Sequence, residues 1–172
     1  MKSKALITFL ICCSTQILWS SPTLDSLFNV AKTLESEKEY EQGSQVFAEA
    51  LTYAEQEENL LIQAQIHNHL NRIFFKLNRY NEGIRESEYS LELFKEMKMW
   101  DAVAGTYYNL GLNYKKIGSI DLAMTNFLSS LKIAERLNDK ERIADVYGVL
   151  GNIYKDRLNF EKALAYHSSA LA

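Results

Sequence analysis

Histidines and cysteines are the side chains of this sequence best suited to metal binding or nucleophilic chemistry. Both cysteines, Cys12 and Cys13, lie in an apolar stretch close to the N-terminus. His67 and His69 are two residues apart. On a helix that spacing turns the two side chains away from each other, so they cannot bind the same metal ion. His167 stands alone, and its position favours a packing role. We therefore predict no metal site.

Motifs for catalysis and for cofactor binding are also missing. The sequence contains no glycine-rich phosphate loop, no HExxH pair and no nucleophile elbow. Glu55, Glu57 and Glu58 form a cluster near a predicted helix end, where solvated charge is far more common than a paired acid and base. The sequence thus predicts no catalytic residue, no cofactor and no small-molecule substrate, and the protein is not expected to be an enzyme.

Residues 1–20 have the pattern of a secretory signal peptide. Lys2 and Lys4 precede an apolar run over 5–18, and two serines follow that run. The run is short for a helix that spans a bilayer. We predict a cleaved signal and a secreted or periplasmic protein, with a membrane-anchored protein as the alternative. Cleavage would also remove both cysteines, which excludes disulfides from the mature chain.

The charge balance excludes one class of partner. Without the two lysines of the predicted signal, the 19 basic side chains fall to 17 against 22 acidic ones, a net charge of −5. Nucleic-acid binding requires a clustered basic surface. We therefore expect no nucleic acid as partner.

The elements that must position any functional residues repeat every 40 residues, four times, without an insertion. Within each unit, large apolar residues recur at the spacing of two amphipathic helices. A short polar break such as Gly118-Ser119 separates the two helices and predicts an antiparallel pair. The units are predicted at 24–63, 64–103, 104–143 and 144–172, the last one incomplete. Two columns of the repeat show its regularity: Val30, Leu70, Leu110 and Leu150; Gly43, Gly83, Ala123 and Ala163.

The third unit carries the clearest motif. Tyr107-x-x-Leu110-Gly111-x-x-Tyr114, followed by Ala123 and Phe127, closely resembles the tetratricopeptide repeat, in a variety longer than the usual unit of about 34 residues. The resemblance implies an all-α fold, a right-handed α-solenoid of four antiparallel helix pairs. It also implies a protein–protein interaction module in which the first helix of each pair lines a concave groove.

Residues of the first helices that point away from their own partner helix are predicted to face this groove. Each unit offers one basic residue, and aromatic residues lie between these, so the predicted ligand is a protein or peptide, possibly an acidic one. A solvated helix face that happens to contain lysines is the alternative. The predicted groove residues are Phe28, Lys32, Asn68, Arg72, Phe75, Tyr108, Leu112, Lys115, Asn152 and Lys155.

Two functional hypotheses follow from the resemblance and the predicted signal. The first is an exported protein–protein interaction module. The second is the N-terminal ligand-sensing region of a larger membrane-bound bacterial signalling protein, with a histidine kinase, a nucleotide cyclase or a transcription regulator as output. The fourth unit stops within its second helix, which predicts either a longer protein or a dimer partner at that end. A membrane would be involved only through an uncleaved signal or a missing C-terminal segment.

Overall fold

The computed structural model describes residues 23–171, so the predicted signal peptide lies outside the described residues. The described chain forms eight helices and no strand. Helix pairs begin at 24, 60, 100 and 140 and keep the 40-residue interval in the last three. The helices are α1 (Leu24–Ser36), α2 (Tyr40–Gln56), α3 (Leu60–Lys76), α4 (Tyr80–Glu96), α5 (Trp100–Lys116), α6 (Ile120–Leu137), α7 (Lys140–Asp156) and α8 (Phe160–Ala170).

Each connection between helices is a tight turn of one type. A residue with positive φ stands at positions 38, 58, 78, 98, 118, 138 and 158, every 20 residues, and all seven are exposed. In the first turn, the N–H of Glu39 donates to the carbonyl of Leu34 at 2.9 Å, which satisfies a free carbonyl at the helix end. Gly118 is the one glycine among the seven. The regular turns therefore fix the length of the helices between them, α2 to α7, at 17 or 18 residues.

Small residues let the two helices of a pair approach closely. A Cβ atom on Gly111 would lie 2.6 Å from Cε1 of Phe127, and the Phe127 ring is fully buried between α5 and α6. In the next pair, a Cβ on Gly151 would lie 2.7 Å from Cε1 of His167. The two helices therefore pack closely at Gly111, and His167 occupies the packing position that Phe127 fills one unit earlier.

The stack of helix pairs is curved. We call the first helix of each pair an A helix (α1, α3, α5, α7) and the second a B helix (α2, α4, α6, α8). Helix α3 contacts both α1 and α5, whereas α2 and α4 make no comparable contact with each other. Neighbouring elements approach more closely on the inside of a bend, so the A helices α1, α3 and α5 lie on the concave side and the B helices α2 and α4 on the convex side.

The A and B helices also differ in charge. The A helices carry eight basic and six acidic side chains, whereas the B helices carry five basic and eleven acidic ones. The acidic excess is concentrated in α2 and α4, which together hold eight glutamates and two basic residues. No helix between residues 23 and 171 is both long enough and apolar enough to cross a membrane.

Candidate functional site: a groove between the A helices

The concave side contains a cavity of about 510 Å³ between α1, α3 and α5. We call it the concave groove. Four residues that the sequence predicted to face a ligand line it together, because they share one side of three adjacent A helices. These four are Lys32, Arg72, Phe75 and Leu112.

Asn68 lies at the edge of this group. Its side-chain oxygen accepts a hydrogen bond of 3.2 Å from Nδ2 of Asn109, and Asn109 lines the groove. The bond links α3 to α5 across two successive units. Asn68 thus positions a groove residue of the next unit.

Two predicted groove residues have aromatic rings that pack against B helices. The ring of Phe28 lies edge-on to Phe47, with centroids 5.8 Å apart, and Tyr108 lies in the same way against Phe127 at 5.6 Å. Burial, with a smaller contribution from the charge of Asp145, raises the pKa of Tyr108 above that of free tyrosine. Both rings are half-buried. Tyr108 thus takes part in the packing within its unit, whereas Phe28 also lies edge-on to His69 of α3 at 5.7 Å and so contacts a residue that lines the groove.

The remaining predicted residues lie beyond this cavity. Lys115 is half-buried near the end of α5, whereas Asn152 and Lys155 are exposed on α7. They stand one or two units further along the same columns as Arg72 and Phe75. The structure therefore brings together the predicted residues of α1 and α3 with one from α5, and leaves those of α7 apart.

A nearly buried carboxylate organises the charges of the groove. The side chain of Glu35 is 10% exposed. One of its oxygens forms an ion pair with Arg72 Nη2 at 3.0 Å, and the other lies 2.6 Å from His69 Nδ1. Within the described chain, Lys32 and Lys76 have no ion-pair partner. Since the charge of Glu35 is balanced by Arg72, the groove keeps a net positive charge.

Sequence reasoning missed several residues that line the groove. Among them, Asn113 stands in a column that holds isoleucine at positions 73 and 153. Its Nδ2 donates to Asn71 Oδ1 at 2.7 Å, and both side chains are buried. An asparagine in a column that holds isoleucine in the units before and after it was the available clue. The other missed lining residues are Ser36, Tyr40, His69, Asn71, Lys76 and Asn109.

Helix α3 presents its two neighbouring histidines to different cavities. His69 lines the concave groove, whereas His67 lines a second cavity on the convex side. His67 Nδ1 lies 2.7 Å from an oxygen of Glu86, so each histidine has its own carboxylate. No group of three or more potential metal ligands occurs in the part of the chain that the structure describes.

The fold and the groove define a class of protein, an α-solenoid of antiparallel helix hairpins with a ligand-sized groove on its concave side. Residues 102–172 match the family model of the tetratricopeptide repeat. These residues are thus tetratricopeptide repeats, as the sequence predicted, and that fold is generally a non-catalytic scaffold for protein–protein interactions.

Several solved structures share the fold at low sequence identity. BtubC (BKLC) from P. vanneervenii superposes with a TM-score of 0.74 at 21% identity, over 86% of this chain and 61% of that one. MamA gives 0.71 at 17% identity over 88% and 78% of the two chains. The apo form of RapI gives 0.76 at 18% identity over 84% and 40%. This chain thus spans less than two thirds of the length of BtubC and RapI. No curated protein matches the sequence.

Proposed function

We propose that this protein is an exported interaction module that binds an acidic peptide or protein segment in the concave groove. The supporting observation is the combination of three basic residues, Lys32, Arg72 and Lys76, with the apolar side chains of Phe75 and Leu112 in one cavity. A carboxylate of the ligand would pair with the basic groups, and a neighbouring apolar side chain would rest against the ring of Phe75.

Asparagine amides add directional groups to the groove. Asn71 and Asn109 both line it, and amides offer donors as well as acceptors to a peptide backbone. The cavity is formed by residues of three successive units. Binding would therefore require at least three stacked helix pairs rather than a single one.

The test uses a fluorescent peptide in which glutamate alternates with leucine. Replacing Arg72 and Lys76 together with glutamine is expected to weaken binding about tenfold, since each lost charge contact is worth up to about 1 kcal/mol near a surface. Fluorescence anisotropy measures the affinity, and far-UV circular dichroism checks that the helices remain.

The matched control changes the same number of charges elsewhere. Arg85 and Lys132 are exposed on α4 and α6 and line neither cavity. The R85Q/K132Q variant is expected to bind the acidic peptide as the unchanged protein does. Equal weakening by both double variants would mean that the attraction depends on overall charge, and the proposed groove would then be rejected.

Export of the protein is part of the proposal and rests on residues 1–20 alone. Signal cleavage near residue 20 would release the protein into the periplasm or medium. Mass spectrometry of the protein from the secreted or periplasmic fraction of a bacterial host would show a mature N-terminus close to Ser21. A chain that keeps Met1 and sediments with membranes would favour the anchored alternative.

The signalling hypothesis uses the same groove. A ligand-sensing region of a membrane-bound regulator would bind its peptide between the A helices and leave catalysis to another domain. In both hypotheses the described residues bind and do not catalyse. The peptide-binding experiment therefore tests the function that the two hypotheses share. An apolar segment of about 20 residues followed by a new domain in the coding region beyond Ala172 would favour the signalling hypothesis.

A further inference from the structure

We propose that the convex side carries a second binding site, for a basic peptide segment of a partner protein that presents an apolar side chain between lysine or arginine residues. The site is a cavity of about 820 Å³ between α2 and α4, with α3 as its floor. We call it the convex groove. The cavity exists because α2 and α4 make no contact with each other above α3 that is comparable to the contacts of α3 with α1 and α5 on the opposite side.

The walls of the convex groove are acidic. Glu41 and Glu55 contribute from α2, and Glu86 and Glu92 from α4. Across the described chain, Glu55 and Glu92 have no ion-pair partner, so both carboxylates are available to a cationic ligand. Charge complementarity therefore selects a basic partner.

The helix ends reinforce this preference. Glu55 lies in the last turn of α2, and that turn contains no basic residue. The C-terminal end of a helix carries a partial negative charge and favours cations nearby. A lysine or arginine of the ligand at this end of the groove would interact with both the carboxylate and the helix end.

The floor of the convex groove is apolar. Leu70 and Phe74 of α3 line it, together with Leu51 and Leu93 from the two walls. Tyr89 is 56% exposed, and its ring stacks on His67 with centroids 5.1 Å apart. This apolar strip between two acidic walls fits a segment in which one apolar side chain is flanked by basic ones.

Arg79 lines the convex groove and is already paired with glutamates. The guanidinium of Arg79 lies 4.6 Å from the centroid of Phe74, donates to Glu82, and lies 3.5 Å from a carboxylate oxygen of Glu41. Its charge is thus matched by two glutamates. Arg79 closes one end of the groove without opposing a basic ligand at the other end, where Glu55 and Glu92 lie.

The experiment uses the full chain and two fluorescent peptides. In the first, lysine alternates with leucine; in the second, lysine alternates with glycine. The lysine–leucine peptide is expected to bind at least about fivefold more tightly, because only its leucines bury apolar surface on the floor. Equal binding of the two peptides would show that the apolar floor is not used and would overturn the proposal.

Paired variants locate the binding site. Replacing Glu55 and Glu92 with glutamine is expected to weaken binding of the lysine–leucine peptide about tenfold, because both unpaired carboxylates are lost. The matched control is E49Q/E96Q, which removes two exposed glutamates from the same helices outside the groove. A similar loss in the control would indicate attraction to the acidic surface as a whole and would contradict the site.

Two further readouts separate this site from the concave groove and from self-association. The glutamate–leucine peptide is expected not to displace the lysine–leucine peptide, and R72Q/K76Q is expected to leave the latter's affinity unchanged. Failure of the acidic peptide to bind would affect only the concave groove. Sedimentation equilibrium showing that E55Q/E92Q abolishes a dimer would identify a second copy of this chain as the occupant and overturn the proposal of a separate basic partner.

Discussion

The concave and convex sides of this solenoid are built from the same repeat. They differ in how closely neighbouring helices approach each other and in charge. On the concave side α3 touches α1 and α5, and the groove between them keeps a positive charge. On the convex side α2 and α4 stand apart over α3 and carry eight glutamates against two basic residues. One floor helix, α3, thus serves two cavities of opposite charge. The repeat fixes the positions of the backbone. Side chains that differ from unit to unit at equivalent positions set the chemistry of each side.

The interactions that hold the two sides also differ in kind. On the concave side, the Asn71 and Asn113 amides meet in the buried interior. On the convex side, Arg79 and Glu82 meet at the surface, where the hydrogen bond between them raises the pKa of Arg79 and lowers that of Glu82. A buried polar contact costs more when broken than an exposed ion pair does. Substitutions on the two sides should therefore differ in effect.

The largest effect is expected where an A helix meets its B helix, because this contact sets the distance between the two sides. Gly111→Ala places a Cβ 2.6 Å from the buried ring of Phe127. Three ring atoms of Phe127 would lie within 2.8 Å of this Cβ, so the cost is expected at the upper end of the roughly 1–3 kcal/mol typical of overpacking. It exceeds the roughly 1 kcal/mol that alanine gains in helix propensity, for a net loss of about 2 kcal/mol. Denaturant unfolding should show a lower midpoint.

Gly148 provides the control for this prediction. It also lies within an A helix, but a Cβ there would have no atom within 4 Å. Gly148→Ala is therefore expected to stabilise the protein by about 0.5–1 kcal/mol. If both substitutions stabilise, the Phe127 ring can move aside, and the close packing of α5 on α6 does not hold the two sides at a fixed distance.

A smaller effect is expected for the buried amide pair of the concave side. Asn71→Ala removes the oxygen that accepts from Asn113 and is expected to cost about 1–2 kcal/mol. Replacing Asn113 with leucine in the same protein removes the polar partner as well, so the double variant should recover much of the loss. A double-mutant cycle by denaturant unfolding measures the coupling, and strictly additive losses would contradict a direct interaction.

The smallest effect is expected for the exposed ion pair of the convex side. Arg79→Gln should change the free energy of unfolding by less than about 1 kcal/mol, since exposed pairs are screened by water. The pair lowers the pKa of Glu82, so its contribution is present at neutral pH and is lost as the pH falls through that lowered pKa. Unfolding curves of the two proteins should therefore converge in acid. A loss that persists there would point to packing of Arg79 on Phe74 instead.

The repeating part of the fold could be predicted from the sequence, because residues such as Leu110 and Leu150 recur at a fixed interval and each helix pair packs mainly on its neighbours. The turn at Gly118-Ser119 followed from residue type. The first residue of each helix is harder to predict, because equivalent helices begin at different residue types, namely Leu60, Trp100 and Lys140.

The candidate site was predicted only in part. Lys32, Arg72, Phe75 and Leu112 follow from helical spacing, which gives the direction of each side chain. Spacing does not show which ions pair across units, so the contact of Arg72 with Glu35 was not foreseen. The convex groove was not predicted at all, because its width depends on the bend of the whole stack and not on any one unit.

The seven left-handed turn residues have a practical consequence for measuring that bend. Because the helices alternate in direction, positions 38, 78, 118 and 158 lie along one rim of the molecule and 58, 98 and 138 along the other. All are open to solvent and equally spaced in sequence. Distances between pairs of spectroscopic labels on one rim would therefore report the curvature. A change in curvature would change each distance, and the change would grow with the number of units between the two labels.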